Sequence, residues 1–428
     1  MLTIMADLDE ARADRRSAFR SFAFVNYRLW FAGSTVSNVG TWMQRTAQDW
    51  IVLTMLTNDD ATALGVTMAL QFAPQLLLAP LTGYVVDLVD RRTLLMITQI
   101  GQGVLALALG ILTVTGLVQL WIVFAFALLL GIVTSFDAPA RQTFVSELVT
   151  PPYLSNAVGL NATSFNTARL IGPAVAGLLT AAIGAGWVFM LNAATFAATL
   201  VALALLRRSE LTVRVRPPTG TGGIRDGFRY VARRPDLRLV LLTAFLMGTL
   251  GLNFPLFTST MAKIAFGEGA GEFGLLTSVL AIGSVVGALM AARRERPRLR
   301  NIALAGAGFG VALLVASVMP TYWAFAVVLP FVGMCSITAL NNSNAYTQMS
   351  TPPHLRGRVM SLYMAVLMGG TPLGAPIMGW IVDAFGPRWA LVLGAAGGLA
   401  PAAVAVVWWL ALRRAARGEH RGSSERRP

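Results

Sequence analysis

The sequence is short of what catalysis and a soluble surface both need. Its 428 residues include one cysteine, two histidines and 20 acidic residues against 34 basic ones. A lone Cys335 excludes an internal disulfide, and within an apolar run it reads as a small core residue. His354 falls in a loop and His420 in the C-terminal tail, so no metal-ligand set forms and neither metal nor other cofactor is expected. No Gly-rich phosphate loop with a lysine is present, which argues against ATP-driven work. No nucleophile–base constellation appears either, so the chain does not read as an enzyme. Charged residues are only 13% of the chain.

What the chain has is apolar length. It is 55% hydrophobic, with a mean hydropathy of +0.64. A soluble protein of this size could not bury that much apolar surface, and a bilayer removes the need. Twelve apolar stretches fall near 29–55, 62–86, 94–115, 120–138, 157–181, 187–206, 239–261, 273–292, 302–319, 322–346, 359–382 and 389–411. Each approaches the roughly 20 residues a helix needs to cross a bilayer. Between them, 30 of the 34 Lys and Arg fall on one side, with Lys263 and Arg388 opposite and Arg45 and Arg169 inside spans. Cationic loops resist crossing an energised membrane, so both termini are expected to be cytoplasmic. The polar start predicts no cleaved signal, with the first span inserting as an anchor. The formal charge of +14 flanks spans and suits anionic lipid headgroups better than nucleic acid. Membrane lipids are therefore the expected partners.

The expected division is a tail at 1–28, six spans over 29–206, a basic linker at 207–238, six spans over 239–411 and a tail at 412–428. The halves repeat. TPPYL from Thr150 recurs as TPPHL from Thr351, and Gly172, Gly177, Gly184 and Trp187 recur 202 residues on as Gly374, Gly379, Gly386 and Trp389. Gly65 and Gly274 open the second and eighth spans alike. Several matches in order at one spacing signal an internal duplication. The predicted class is an all-α membrane protein of twelve helices, in two six-helix bundles related by parallel repeat.

Two motifs stand out. After the second span the chain reads GYVVDLVDRRTLL from Gly83. Gly83 would permit close helix contact. Asp87 can accept amide protons at a helix N-terminus and pair with an arginine. Arg91 and Arg92 would hold the loop at the membrane surface, and Asp137 and Arg141, flanking Pro139, would complete a gate that Asp87 could meet. The corresponding loop from Arg293 keeps the arginines but has no Asp. In the fifth span Gly159, Ala168, Gly172-Pro173 and Ala176-Gly177 put small residues and a proline on one helix. That arrangement lets helices approach closely and predicts a kink.

Charges within spans cost at least ~2.5–3.5 kcal/mol at the bilayer centre. Asp49 is the one carboxylate placed well inside a span, with Arg45 four residues earlier on the same face. Arg169 lies mid-way along the fifth span. Only Asp49 can give up a proton. It is either a proton carrier, with Arg45 or Arg169 as partner, or half of a static pair. Trp42, Gln71, Phe72, Asn253, Asn341, Asn342, Asn344, Met364 and Met368 are candidates to line a cavity of mixed polarity.

The first-span text NYRLWFAGSTVSNVGTWMQRTAQDW from Asn26, the segment Pro139-Ala140-Arg141 and the fifth-span motif resemble a group of major facilitator superfamily exporters. That group contains enterobactin exporters, macrolide efflux proteins and mycobacterial multidrug pumps. The GYVVDLVDRR loop resembles the superfamily signature, with Leu88 where a basic residue is usual and Asp90 where glycine is usual. The fifth-span motif resembles the antiporter motif of superfamily exporters, with alanine for glycine at two places. An arginine usual in the middle of the fourth span of drug exporters is missing here. The resemblance implies proton-driven export of amphiphilic small molecules across the inner membrane, by a monomer that exchanges protons for drugs. A siderophore is the rival cargo. Uptake or lipid movement by the same fold, and a non-transporting sensor, are the other readings.

Overall fold

The computed structural model describes residues 19–211, 224–292 and 298–424, and every regular element among them is helical. The start of the expected N-terminal tail, the centre of the basic linker and residues 425–428 lie outside the described residues.

The first expected span is α1, Val25–Thr54. The second is broken into α2, Ala61–Leu77, and α3, Ala79–Leu88, which meet at 57°. The break follows Pro74 and precedes Pro80, each of which removes a backbone donor. The next four are α4 (Arg91–Val114), α5 (Leu120–Leu148), α6 (Leu154–Ile183) and α7 (Ala185–Leu205). Part of the expected linker forms a short helix, α8 (Ile224–Ala232). The seventh expected span is irregular. It comprises α9 (Pro235–Leu246), a π turn at Met247–Gly251, α10 (Phe254–Thr260) and a second π turn at Met261–Ala265. The remaining helices are α11 (Ala270–Ala292), α12 (Leu299–Ser317), α13 (Tyr322–Ser350), α14 (Pro353–Phe385) and α15 (Pro387–Ser424).

Ten helices among the described residues are long and apolar enough to cross a membrane, or eleven with the bent α2–α3 pair taken as one. The count of twelve is therefore not reproduced on length and composition. The helix that falls short is α1. It is 30 residues long but buries Ser34, Ser37, Gln44, Thr46, Gln48 and Asp49. These polar groups are buried in protein rather than set against lipid, so α1 reads as less apolar than its neighbours.

Two compact units form. One groups residues within 1–56, 73–219 and 269–278; the other groups residues within 57–72, 220–268 and 279–428. In the first, α1 packs on α7 through small residues. A Cβ on Gly33 would lie 2.7 Å from that of Ala202, and Gly40 faces Thr195 and Asn192. At one end of this unit Tyr27, Trp30, Leu95, Phe144 and Leu148 form an apolar cluster. In the second unit Gly310 meets Leu399 across α12 and α15, and Val240, Ile302, Tyr363 and Leu367 form a core. Without a hydrophobic drive between helices in lipid, such close backbone approach is what holds them.

The duplicated glycines behave alike. Gly184 and Gly386 each end one helix and begin the next, with φ of +86° and +93°. Both backbones are in a region that side chains disfavour.

Candidate functional site

The two deep arginines collect around one indole. Trp42 lies on α1, and the Arg45 guanidinium carbon sits 5.3 Å from its ring centre. The Arg169 guanidinium, from α6, sits 5.6 Å from the same centre. Phe165, one turn before Arg169, meets Trp42 edge-on at 5.8 Å. Asp49 is buried and interacts electrostatically with Arg45. Its neighbour Gln44 is occupied, accepting a hydrogen bond from Asn192 on α7 at 2.5 Å. Arg169, expected as the alternative to Arg45 as partner of Asp49, is not its electrostatic neighbour. Among the described residues it makes no hydrogen bond or ion pair, and its contact is the Trp42 face.

The α6 motif is only partly used. Gly172 packs against α1, where a Cβ would come within 2.6 Å of the Trp42 Cβ. Gly177 packs against α11, where a Cβ would come within 2.5 Å of the Ala270 carbonyl. Ala168 and Ala176 are buried between them. Gly159 departs from expectation: nothing lies within 4 Å of a Cβ there. The helix runs unbroken from Leu154 to Ile183, so Pro173 costs a hydrogen bond but does not end it. From α11, the Ser278 hydroxyl donates to the Leu170 carbonyl at 2.7 Å, close to the carbonyls that a proline at 173 affects.

The second unit repeats this packing with different helices. Gly374 abuts Thr249 in the π turn, Gly379 abuts Ala61, and Gly65 abuts Ala375. Here a charge is added. The Asp383 carboxylate accepts from the Ala61 and Thr62 amides, both at 2.8 Å, and from the Thr62 hydroxyl. It caps the N-terminus of α2 from the end of α14, satisfying donors that helix geometry leaves open.

At the arginine-rich end the expected gate residues find separate partners. Arg91 pairs with Glu147 at 2.5 Å. Arg92 is buried and donates to the Leu203 carbonyl at 2.7 Å, closing the C-terminus of α7. Asp137 pairs with Arg141 at 2.5 Å and accepts from Thr98 and Gln99, both at 2.7 Å. Its two oxygens are therefore taken by α4 and its own helix. Arg141 also lies 5.7 Å from the centre of the Trp30 ring. Asp87 is exposed, and the expected Gly83 contact is not made, since a Cβ there would meet open space. Asp90 begins α4 as its N-cap, accepting from the Thr93 amide and hydroxyl at 2.8 and 2.7 Å. Burial pushes its carboxyl up, but the Thr93 bonds and the nearby Arg92 and Arg208 outweigh this and hold it below its ordinary value. That capping role explains the aspartate where the superfamily signature has glycine.

A family model described as transmembrane secretion effector matches residues 16–425. The chain belongs to that family of major facilitator transporters. It is 27% identical over 372 residues to the multidrug efflux pump Tap of Mycolicibacterium fortuitum, covering 83% of this chain and 88% of that protein. It is 25% identical to the staphyloferrin A transporter of Staphylococcus aureus, covering 84% and 90%. It is 23% identical to macrolide efflux protein A of Streptococcus pyogenes, covering 86% and 92%. These relatives are transporters, and the chain is not an enzyme. Among solved structures it resembles a POT family transporter in complex with 5-aminolevulinic acid, with a TM-score of 0.72 at 11% identity over 90% of this chain and 96% of that one. That likeness is one of fold.

Within this transporter the predicted cavity residues divide. Gln71 and Asn253 are buried, and each keeps one unpartnered polar atom, the Gln71 Nε2 and the Asn253 Oδ1. The Asn253 Nδ2 donates to the Thr249 carbonyl at 2.8 Å across the break before α10. Asn342 is also buried and donates to Thr338, whereas Asn341 is exposed and Asn344 accepts from Gln348. Met364 and Met368 are exposed. The residue that sequence reasoning overlooked is Asp383. Its signal was present: the repeat places Ala181 where the second copy has this aspartate.

Proposed function

We propose that the chain is a proton-coupled efflux antiporter of the inner membrane, exporting amphiphilic small molecules by alternating access. In this reading it works as a monomer, with both termini cytoplasmic and twelve spans in two six-helix bundles joined by the basic linker. The observation that carries it is Asp49, a buried carboxylate on α1 beside Arg45, on the helix that Gly172 packs against. An ionisable side chain in such a place is retained at a cost, and proton transfer is the work it can do. Relatives named for drug and macrolide efflux support export as the direction. One proton moving through roughly 150 mV releases about 3.5 kcal/mol, enough for a gradient of a few hundred-fold in a neutral substrate.

The deciding experiment is substrate-induced proton flux in proteoliposomes. Asp49→Asn should abolish uphill, proton-linked export while leaving substrate binding in place. Arg45→Ala should change the pH dependence without abolishing transport, because it tunes the carboxylate rather than carrying the proton. Full proton-coupled transport by Asp49→Asn would make the pair structural. Siderophore export is the second reading, favoured by the staphyloferrin A relative.

A further inference from the structure

Two guanidinium groups share the Trp42 ring, and one carboxylate accompanies them. Asp49 interacts electrostatically with Arg45. Arg169 has the indole face and no hydrogen bond or ion pair among the described residues. An aromatic face offsets part of a cation's desolvation, of the order of 0.5–2 kcal/mol. An arginine in the middle of a span costs more than that, at least ~2.5–3.5 kcal/mol on the most lenient scale. Arginine cannot escape by losing its proton. One positive charge is thus left without a counter-charge among the described residues.

The side chains around it have a definite chemistry. Phe165 is 48% exposed, next to Trp42, and offers an apolar aromatic surface one turn from the guanidinium. Asn166 is exposed; its Nδ2 donates to the Ala162 carbonyl at 2.8 Å. The guanidinium presents a planar fork of donors that matches the two oxygens of a carboxylate. Arg169 is itself half-buried, so part of its side chain is accessible.

We infer that Trp42, Phe165 and Arg169 form a receptor for the carboxylate of an amphiphilic anion, whose apolar body lies on the aromatic pair. This names the substrate class of the proposed exporter and rests on that reading for the direction of transport, not for binding. It moves Arg169 from proton coupling to substrate recognition, and it favours acidic amphiphiles over neutral or cationic cargo.

The test uses one apolar body with three charges: pyrenebutyrate, pyrenebutanamide and pyrenebutylamine. Their binding to the full chain is measured by fluorescence anisotropy in nanodiscs of phosphatidylcholine, and again in discs containing phosphatidylglycerol. The carboxylate should bind about tenfold tighter than the amide, and the amine weakest. Arg169→Gln should bring carboxylate and amide to the same affinity with the amide unchanged, and Arg169→Lys should keep part of the preference. Unchanged amide binding also shows that the variant is folded. Equal binding of all three probes, or a carboxylate preference that survives Arg169→Gln, overturns the proposal. A preference that disappears when phosphatidylglycerol is present assigns the counter-charge to a lipid headgroup and overturns it too. If the preference holds but proteoliposomes export none of the probes, the binding site stands and the antiporter reading fails.

Discussion

The α6–α11 and α2–α14 junctions are two copies of one design with one difference. In each, a glycine early in one helix meets the backbone of another. Gly274 meets Pro173 and Gly177, and Gly65 meets Ala375 and Pro376. In each, a second glycine returns the contact, Gly177 to Ala270 and Gly379 to Ala61. Four residues past that second glycine the copies diverge. The first has Ala181 and the second Asp383, whose carboxylate holds the open amides of α2. The first junction is held by close packing and a neutral hydrogen bond, from the Ser278 hydroxyl to the Leu170 carbonyl, and both are indifferent to charge. The second adds charge-assisted hydrogen bonds, which salt can weaken.

The largest expected effect lies in what the junctions share. Gly65→Leu and Gly274→Leu should each reduce transport more than about tenfold, because a branched side chain cannot occupy backbone contact distance. Membrane-inserted protein, quantified beside export, separates this from failed folding. Near-normal export by one and not the other would show that the two contacts are not equivalent.

A smaller effect should separate the junctions. Asp383→Ala removes a cap of the kind that costs about 1 kcal/mol, whereas Ala181→Ser should change nothing. With Cys335 replaced by serine, a cysteine at Ala63 should become several-fold more reactive to a membrane-impermeant thiol reagent in the Asp383→Ala background. Unchanged reactivity would mean that packing alone fixes α2.

Gly184→Ala and Gly386→Ala test a feature the two copies share without difference. Nothing crowds a Cβ at either position, so the penalty is the backbone one, roughly 1–3 kcal/mol. Equal losses of a few degrees in thermal melts are expected.

The smallest effect is Asp90→Ala, outside both junctions, at about 1 kcal/mol. Because the folded carboxyl titrates below its ordinary value, its contribution is complete above the unfolded carboxylate range near pH ~4. It is lost as pH falls further, through the folded value. Melting temperatures of wild type and variant should therefore converge in acid.

Much of this was legible in the sequence, for reasons that differ by residue. The 202-residue spacing identified Gly184 and Gly386 as equivalent because only glycine adopts their backbone readily. The spacing of small residues in the fifth span showed that α6 can pack closely, and Gly172 and Gly177 do. Spacing cannot say which small residue finds a neighbour, so Gly83 and Gly159 were misjudged. The expected spans included α1, which is long enough to cross but averages too polar to count on composition, because its inward face is polar. Arg45 and Arg169 were both candidate partners of Asp49 because the chain offers a single deep carboxylate. Which ring a guanidinium lies against depends on the pairing of α1 with α6, which no local pattern states. Asp383 was visible as a break in the repeat.

The two π turns on either side of α10 carry a last consequence. A π turn holds one residue more than an α turn over the same length. The stretch from Met247 to Ala265 therefore stores spare contour, inside a segment whose residues are mostly buried. Converting one turn to α geometry would shift the register of everything beyond it by a residue and leave the ladder of bonds complete. Asn253, bonded across the break, sits where that slippage would be felt. Amide hydrogen exchange should find these interior residues less protected than the regular α7, although α7 is the less buried, on the seconds-to-hours scale where local opening is seen.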